Sequence, residues 1–113
     1  MTAKTFGAFI AEHRKRAHLS QKELAAKILK EDGEQISPQY LNDLEHDRRN
    51  PPSESLLKQL AIVLGVDLEY LCSVAGEMPA DVRERVSRLD EKRVKNAWRA
   101  FRRAADSKGK TRS

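Results

Sequence analysis

An all-α fold follows from three observations on this sequence. Apolar residues recur at three- and four-residue steps along most of it, the period of one face of a helix. Hydroxyl or carboxylate residues stand just ahead of these stripes, at Ser20, Ser37, Ser53, Asp67 and Asp90, where a side-chain oxygen can accept from the unpaired N–H groups of a starting helix. No segment alternates apolar and polar residues as a half-buried strand does, and there are no internal repeats. At 113 residues the chain is long enough for one domain with an appendage.

Phe6, Phe9, Ile10, His13 and Ala17 share one stripe and predict a helix over residues 5–17. Ser20 and Glu23 form a capping box at the start of a second helix, with Leu24, Ala25, Ile28 and Leu29 inward. That helix is expected to fade near Glu31, because Gly33 offers a left-handed stop. Ser37 and Pro38 open a third, serine as cap and proline at the position that needs no N–H, with Leu41 and Leu44 facing the core. Residues 47–52 are turn chemistry. Ser53 is expected to cap a fourth helix, carrying Leu56, Leu57, Leu60, Ala61 and Leu64 inside and ending at Gly65. Asp67 caps a fifth, with Leu68, Leu71, Cys72 and Ala75 in phase.

Pro79 can open a further helix carrying Val82, Val86 and Leu89 on one stripe. This stripe is out of phase with Val94, Ala97, Trp98, Phe101 and Ala105. Either the chain breaks at Leu89 and Asp90 caps a last helix, or one bent helix runs throughout. Residues 107–113 are expected to be a disordered basic tail.

Composition excludes several classes. There is no apolar run long enough to span a membrane, and the N-terminal residues lack the apolar stretch of a secretion signal. One cysteine, Cys72, cannot form an internal disulfide, which fits a reducing, cytoplasmic setting. The net charge of +5 is concentrated at one end: from Lys92 onward nine basic residues face Asp106 alone, a charge of +8, leaving −3 for the rest. Such a segment either binds phosphate without reading sequence or is a solvated face. His13, His18, His46 and Cys72 do not fall at metal-ligand spacing, and no phosphate loop, nucleophile motif or acid/base pair is visible. Neither metal nor cofactor is expected, and the chain does not read as an enzyme.

The order of these pieces carries more than any one of them. Phe6, Gly7, Ile10 and Arg14, then Leu19, Ser20, Gln21, Glu23, Leu24 and Ala25, then Ile36, Ser37, Leu41, Leu44 and Glu45, then Arg49, Asn50 and Pro51, then Leu64, Gly65, Val66 and Leu68 stand in sequence. In these residues the chain resembles the Cro/C1-type helix-turn-helix family, the lambdoid-repressor and XRE-like regulators. The resemblance covers residues 5–75 and implies a five-helix lambda-repressor-like DNA-binding domain; residues 79–106, outside it, read from their own stripes as a helical extension. It implies that Ser37, Gln39, Tyr40 and Asp43 face the bases of double-stranded DNA, with Asn42 a neighbour. Gln21, Lys22, Arg48, Arg49 and Asn50 would hold phosphates, and Arg14 and Glu45 would form an ion pair joining the first and third helices. Gln39 suits adenine and Asp43 the cytosine amino group, unless Asp43 turns sideways to Arg48 or Arg49. Tyr40 can pack on a thymine methyl, bond a phosphate or cover the core edge.

Two departures stand out. Residues 29–35 replace a short family turn, which predicts an extended second helix followed by an exposed loop whose Glu31, Asp32 and Glu34 are kept from DNA by repulsion. His18 stands where the family often has glycine, so a left-handed backbone is expected there. The stripe through Val94, Trp98 and Phe101 either packs back on the body or pairs with a second copy, and the homodimer is preferred because one short recognition helix contacts few bases. The resulting expectation is a dimeric repressor on a palindromic operator. The alternative is an antitoxin or phage-type regulator acting mainly through a protein partner.

Overall fold

The computed structural model describes residues 4–107. Along them run α1 (Phe6–Arg16), α2 (Gln21–Ala25), α3 (Pro38–Glu45), α4 (Glu54–Leu64), α5 (Leu68–Ala75), α6 (Ala80–Ser87) and α7 (Glu91–Asp106). Among the described residues the only extended pairing is a single antiparallel bridge between Leu29 and Gln35. The chain divides into two compact units, Met1–Pro79 and Ala80–Ser113.

The first unit buries one continuous core. Ile10, Leu24, Ile28, Leu41, Leu44, Leu57, Leu60, Leu71 and Cys72 are fully enclosed, so every helix from α1 to α5 contributes to it. α1 and α2 both pack on α3, while α4 and α5 pack on each other. Two residues of the expected α1 stripe sit differently. His13 is half-buried, its ring centroid 4.2 Å from that of Phe9, and Ala17 is exposed at the C-cap.

Local chemistry sets most helix starts. Thr5 Oγ1 accepts from Ala8 N at 3.1 Å, ahead of α1. Both halves of the α2 capping box form: Ser20 N donates to Glu23 Oε1 at 2.8 Å, and Glu23 N donates to Ser20 Oγ at 3.0 Å. The Ser20 backbone N–H, then its hydroxyl, hold the Glu23 carboxyl below its ordinary pKa. Asp67 caps α5 through Tyr70 N at 2.9 Å. Ser53 departs from expectation: it occupies the N-cap position of α4 but makes no side-chain capping bond. His18 has φ +60°, so the turn between α1 and α2 accepts a left-handed histidine.

The segment after α2 overturns one expectation. The second helix does not extend towards Glu31; it stops at Ala25. The chain then folds back as a small hairpin, with Ile36 N donating to Ile28 O at 3.0 Å and Lys30 N to Glu34 O at 2.7 Å. Gly33, at φ +89°, forms its turn rather than a helix stop. The cause lies on α4. Gln59 Oε1 accepts from Leu29 N at 2.7 Å while its Nε2 donates to Leu29 O at 2.8 Å. One side chain thus satisfies both backbone groups of Leu29 and takes the place of the helical bonds they would have made. Ile28 and Ile36 are buried at the hairpin base, whereas Leu29, expected inward, is 45% exposed.

In the second unit the chain breaks between Ser87 and Glu91, as two helices rather than one bent helix. Asp90 Oδ1 accepts from Arg93 N at 2.8 Å and starts α7. Trp98 and Phe101 lie edge to face, centroids 5.8 Å apart, and remain 43% and 61% exposed. No helix among the described residues is long and apolar enough to cross a membrane. The tail expected to be disordered lies, from residue 108 on, outside the described residues.

Candidate nucleic-acid interface

α3 is short and begins under tight control. Ser37 Oγ accepts from Tyr40 N at 3.0 Å, and Pro38 fills the first helical position. Leu41 and Leu44 fix its inner face in the core. The outer face then presents Gln39, exposed, with Asn42, Asp43 and Tyr40 half-buried beside it.

A polar network locks the axis of α3 to the two helices before it. Arg14 grips Glu45 with two bonds, Nε to Oε2 at 2.6 Å and Nη2 to Oε1 at 3.0 Å. Arg14 Nη1 also donates to Leu19 O at 2.9 Å, tying in the turn ahead of α2. Gln21 Nε2 donates to Asn42 Oδ1 at 3.0 Å and to Glu45 Oε1 at 2.9 Å. Both N–H bonds of the Gln21 amide are thereby occupied within the protein. The Gln21 side chain is a bridge between α2 and α3, while its backbone N–H remains at the start of a helix. Lys22, next to it, is exposed.

The basic residues after α3 are organised by Asp43. Arg48 Nη1 donates to Asp43 Oδ1 at 3.0 Å, and Arg49 Nε lies 3.9 Å from Asp43 Oδ2. Of the two orientations open to Asp43, the carboxylate takes the sideways one. Arg49 also sits over Tyr40, its guanidinium carbon 5.4 Å from the ring centroid, a cation–π distance. Tyr40 itself packs against the core edge. The arginine side chains stay 57% and 58% exposed, and Asn50 is exposed after them. On the second unit, Val94 is half-buried, and Trp98 and Phe101 are open on the same face of α7.

Three functional placements escaped sequence reasoning. Asn42 takes the Gln21 amide, Gln59 clamps the hairpin, and Asp47 binds the start of α1 by accepting from Gly7 N at 2.9 Å and from Thr5 Oγ1 at 2.6 Å. None left a local signal, because these contacts join residues 21, 30, 40 and 42 positions apart. Among the described residues no three His, Cys, Asp or Glu side chains cluster to hold a metal ion.

A capped helix packed on two others, with amide and aromatic side chains on its outer face and two arginines just after it, is the arrangement of a helix-turn-helix domain. The chain belongs to the Cro/C1-type helix-turn-helix family, a family of DNA-binding transcriptional regulators and not of enzymes; the Helix-turn-helix family model matches residues 10–71. Among characterised relatives, it is 34% identical over 71 residues to the ImmF control region 10 kDa protein of Bacillus phage phi105, spanning 63% of this chain and 71% of that one. Among solved structures, a chain of the SinR protein–SinI protein complex aligns with a TM-score of 0.51, covering 88% of this chain and 99% of that chain. At 23% identity that likeness establishes the lambda-repressor-like fold alone.

Proposed function

We propose that this protein is a sequence-specific transcriptional regulator that binds a palindromic operator as a homodimer and represses by obstructing polymerase. The observation that carries this reading is the exposed Gln39 on the first turn of α3, a helix that Ser37 caps and the Arg14–Glu45–Gln21–Asn42 network holds in place. Residues 5–75 form the DNA-binding part in this reading, and residues 79–106 serve self-association.

Within it, Gln39 reads a base edge, with Ser37, Tyr40 and Asp43 around it. Lys22, Arg48, Arg49, Asn50 and the backbone N–H of Gln21 hold phosphates. The Gln39→Ala variant is expected to lose about 1–3 kcal/mol of operator affinity with little change on unrelated DNA. Selection from random DNA followed by fluorescence-anisotropy titration checks this. Equal losses on both DNAs refute base reading by Gln39.

The open apolar face of α7 supports dimerisation. Trp98 and Phe101 present large rings to solvent beside Val94 on a 16-residue helix, and two such faces together bury what each alone exposes. Trp98→Ser is expected to convert dimer to monomer in sedimentation equilibrium and to weaken operator binding more than half-site binding. An unchanged dimer places the interface elsewhere.

The relative from a phage supports a second reading, in which this chain is a phage-type regulator; in that reading the exposed Trp98 and Phe101 of α7 receive a different protein. Under that reading the purified chain is monomeric and acquires its dimer-sized mass only on adding the partner.

A further inference from the structure

Asp43 is the one acidic group on the outer face of α3, where a polyanion is expected to approach, and it holds three separate side chains. Gln39 Nε2 donates to Asp43 Oδ1 at 3.0 Å, one helical turn along. The same oxygen takes Arg48 Nη1 at 3.0 Å, and Oδ2 faces Arg49 Nε at 3.9 Å. Asp43 is also the least open of the set, its side chain 18% exposed against 57% and 58% for the two arginines. Oδ1 is thus shared between an amide and a guanidinium, while Oδ2 lies towards Arg49.

We propose that Asp43 is a positioning residue for Gln39 and a restraint on Arg48 and Arg49, not a reader of cytosine. The inference rests on the reading of Gln39 as a base-contacting residue. A carboxylate can only accept, so the group that Gln39 turns towards Asp43 must be its NH2. That settles which end of the carboxamide is nitrogen and leaves the second N–H and Oε1 to act together. One donor beside one acceptor matches adenine N7 and N6, the pair an amide reads in the major groove. Without Asp43 the amide is free to rotate and to offer either end.

The second half of the proposal concerns charge. In the free protein Asp43 neutralises part of the field of two arginines that point towards phosphate. Its negative charge also opposes any DNA docked without a compensating base contact. Asp43 therefore lowers affinity for unrelated DNA while sharpening the choice of base, and removing it moves these two quantities in opposite directions.

The test uses the full-length chain and the operator recovered by selection. Wild type, Gln39→Ala, Asp43→Ala and Asp43→Asn are titrated against the operator, its single-base variants and unrelated DNA at several salt concentrations. Asp43→Ala is expected to lose preference, by about tenfold, at the same A·T pair that Gln39→Ala relaxes. It is also expected to bind unrelated DNA several-fold more tightly, with a salt dependence steeper by about 0.9 in log–log slope for each phosphate gained. Asp43→Asn retains an acceptor for Gln39 and loses the charge, so it keeps most of the base preference while still binding unrelated DNA more tightly. Circular dichroism melts confirm that each variant is folded. Lost preference at a C·G pair, with the A·T pair untouched, makes Asp43 a cytosine reader and overturns the proposal. If Gln39→Ala relaxes no base pair at all, it is the reading of Gln39 that fails, and that result is seen in a different variant.

Discussion

Replacing Glu45 by alanine is expected to destabilise the first unit by about 3–5 kcal/mol, the range for stripping one partner from a buried ion pair. Its side chain is 3% exposed and that of Arg14 is 11% exposed. In the variant Arg14 keeps only its bond to Leu19 O, so a guanidinium stays away from water without a counter-charge. Gln21 loses one of its two acceptors as well. Against a typical total stability of about 5–15 kcal/mol the loss is a large share, and at the low end of that range it leaves a measurable fraction unfolded at ambient temperature. Urea denaturation is expected to show a large fall in midpoint with little change in slope, and Tm a fall of more than about 12 °C.

The comparison that isolates the mechanism is a double variant, Arg14→Met with Glu45→Leu. Removing both charges also removes the orphaned one, so the double change is expected to cost much less than Glu45→Ala alone. A double variant as unstable as the single one would mean that packing at these positions, not the unpaired charge, sets the loss. DNA binding divides the two effects further. The double variant folds without the polar link between α1 and α3, so its operator affinity reports how far the angle of the recognition helix depends on that link.

What the sequence made legible follows from range. Caps act across three residues, and Ser20 with Glu23, Ser37 with Tyr40 N, and Asp90 with Arg93 N could be placed by spacing alone. The core stripes followed from period in the same way. Arg14 and Glu45, 31 positions apart, were reachable only through the family resemblance. The hairpin at residues 29–35 was not reachable at all, because its decisive partner, Gln59, lies on another helix. Gly33 is compatible with a helix stop and with a tight turn, and periodicity could not choose between them. Asp43 shows the same limit at the site. Its spacing allows a base contact or an arginine contact, and only coordinates reveal that Gln39, Arg48 and Arg49 converge on it.

Gly7→Ala is the other change expected to be severe, and here intrinsic propensity points the wrong way. Alanine favours a helix over glycine by about 0.8–1 kcal/mol, so by that measure alone the substitution should stabilise α1. Yet a Cβ at Gly7 would lie 2.4 Å from Leu44 O, 2.5 Å from Glu45 O and 2.7 Å from Asp47 Oδ1. Two of these atoms belong to the backbone at the end of α3 and cannot rotate aside. The third is the carboxylate that accepts from Gly7 N at 2.9 Å, on a residue held at φ +58°. Relief therefore requires α1 and α3 to separate, which strains the Arg14–Glu45 pair and withdraws Asp47 from the start of α1. The expected net loss is about 2–3 kcal/mol, towards the upper end for overpacking. Because the displaced element is the helix proposed to read the operator, operator affinity is expected to fall further than unfolding alone accounts for. Urea denaturation and operator titration on the same sample separate the two, and a Gly7→Ala protein as stable as wild type would show that α1 does not approach α3 this closely in solution.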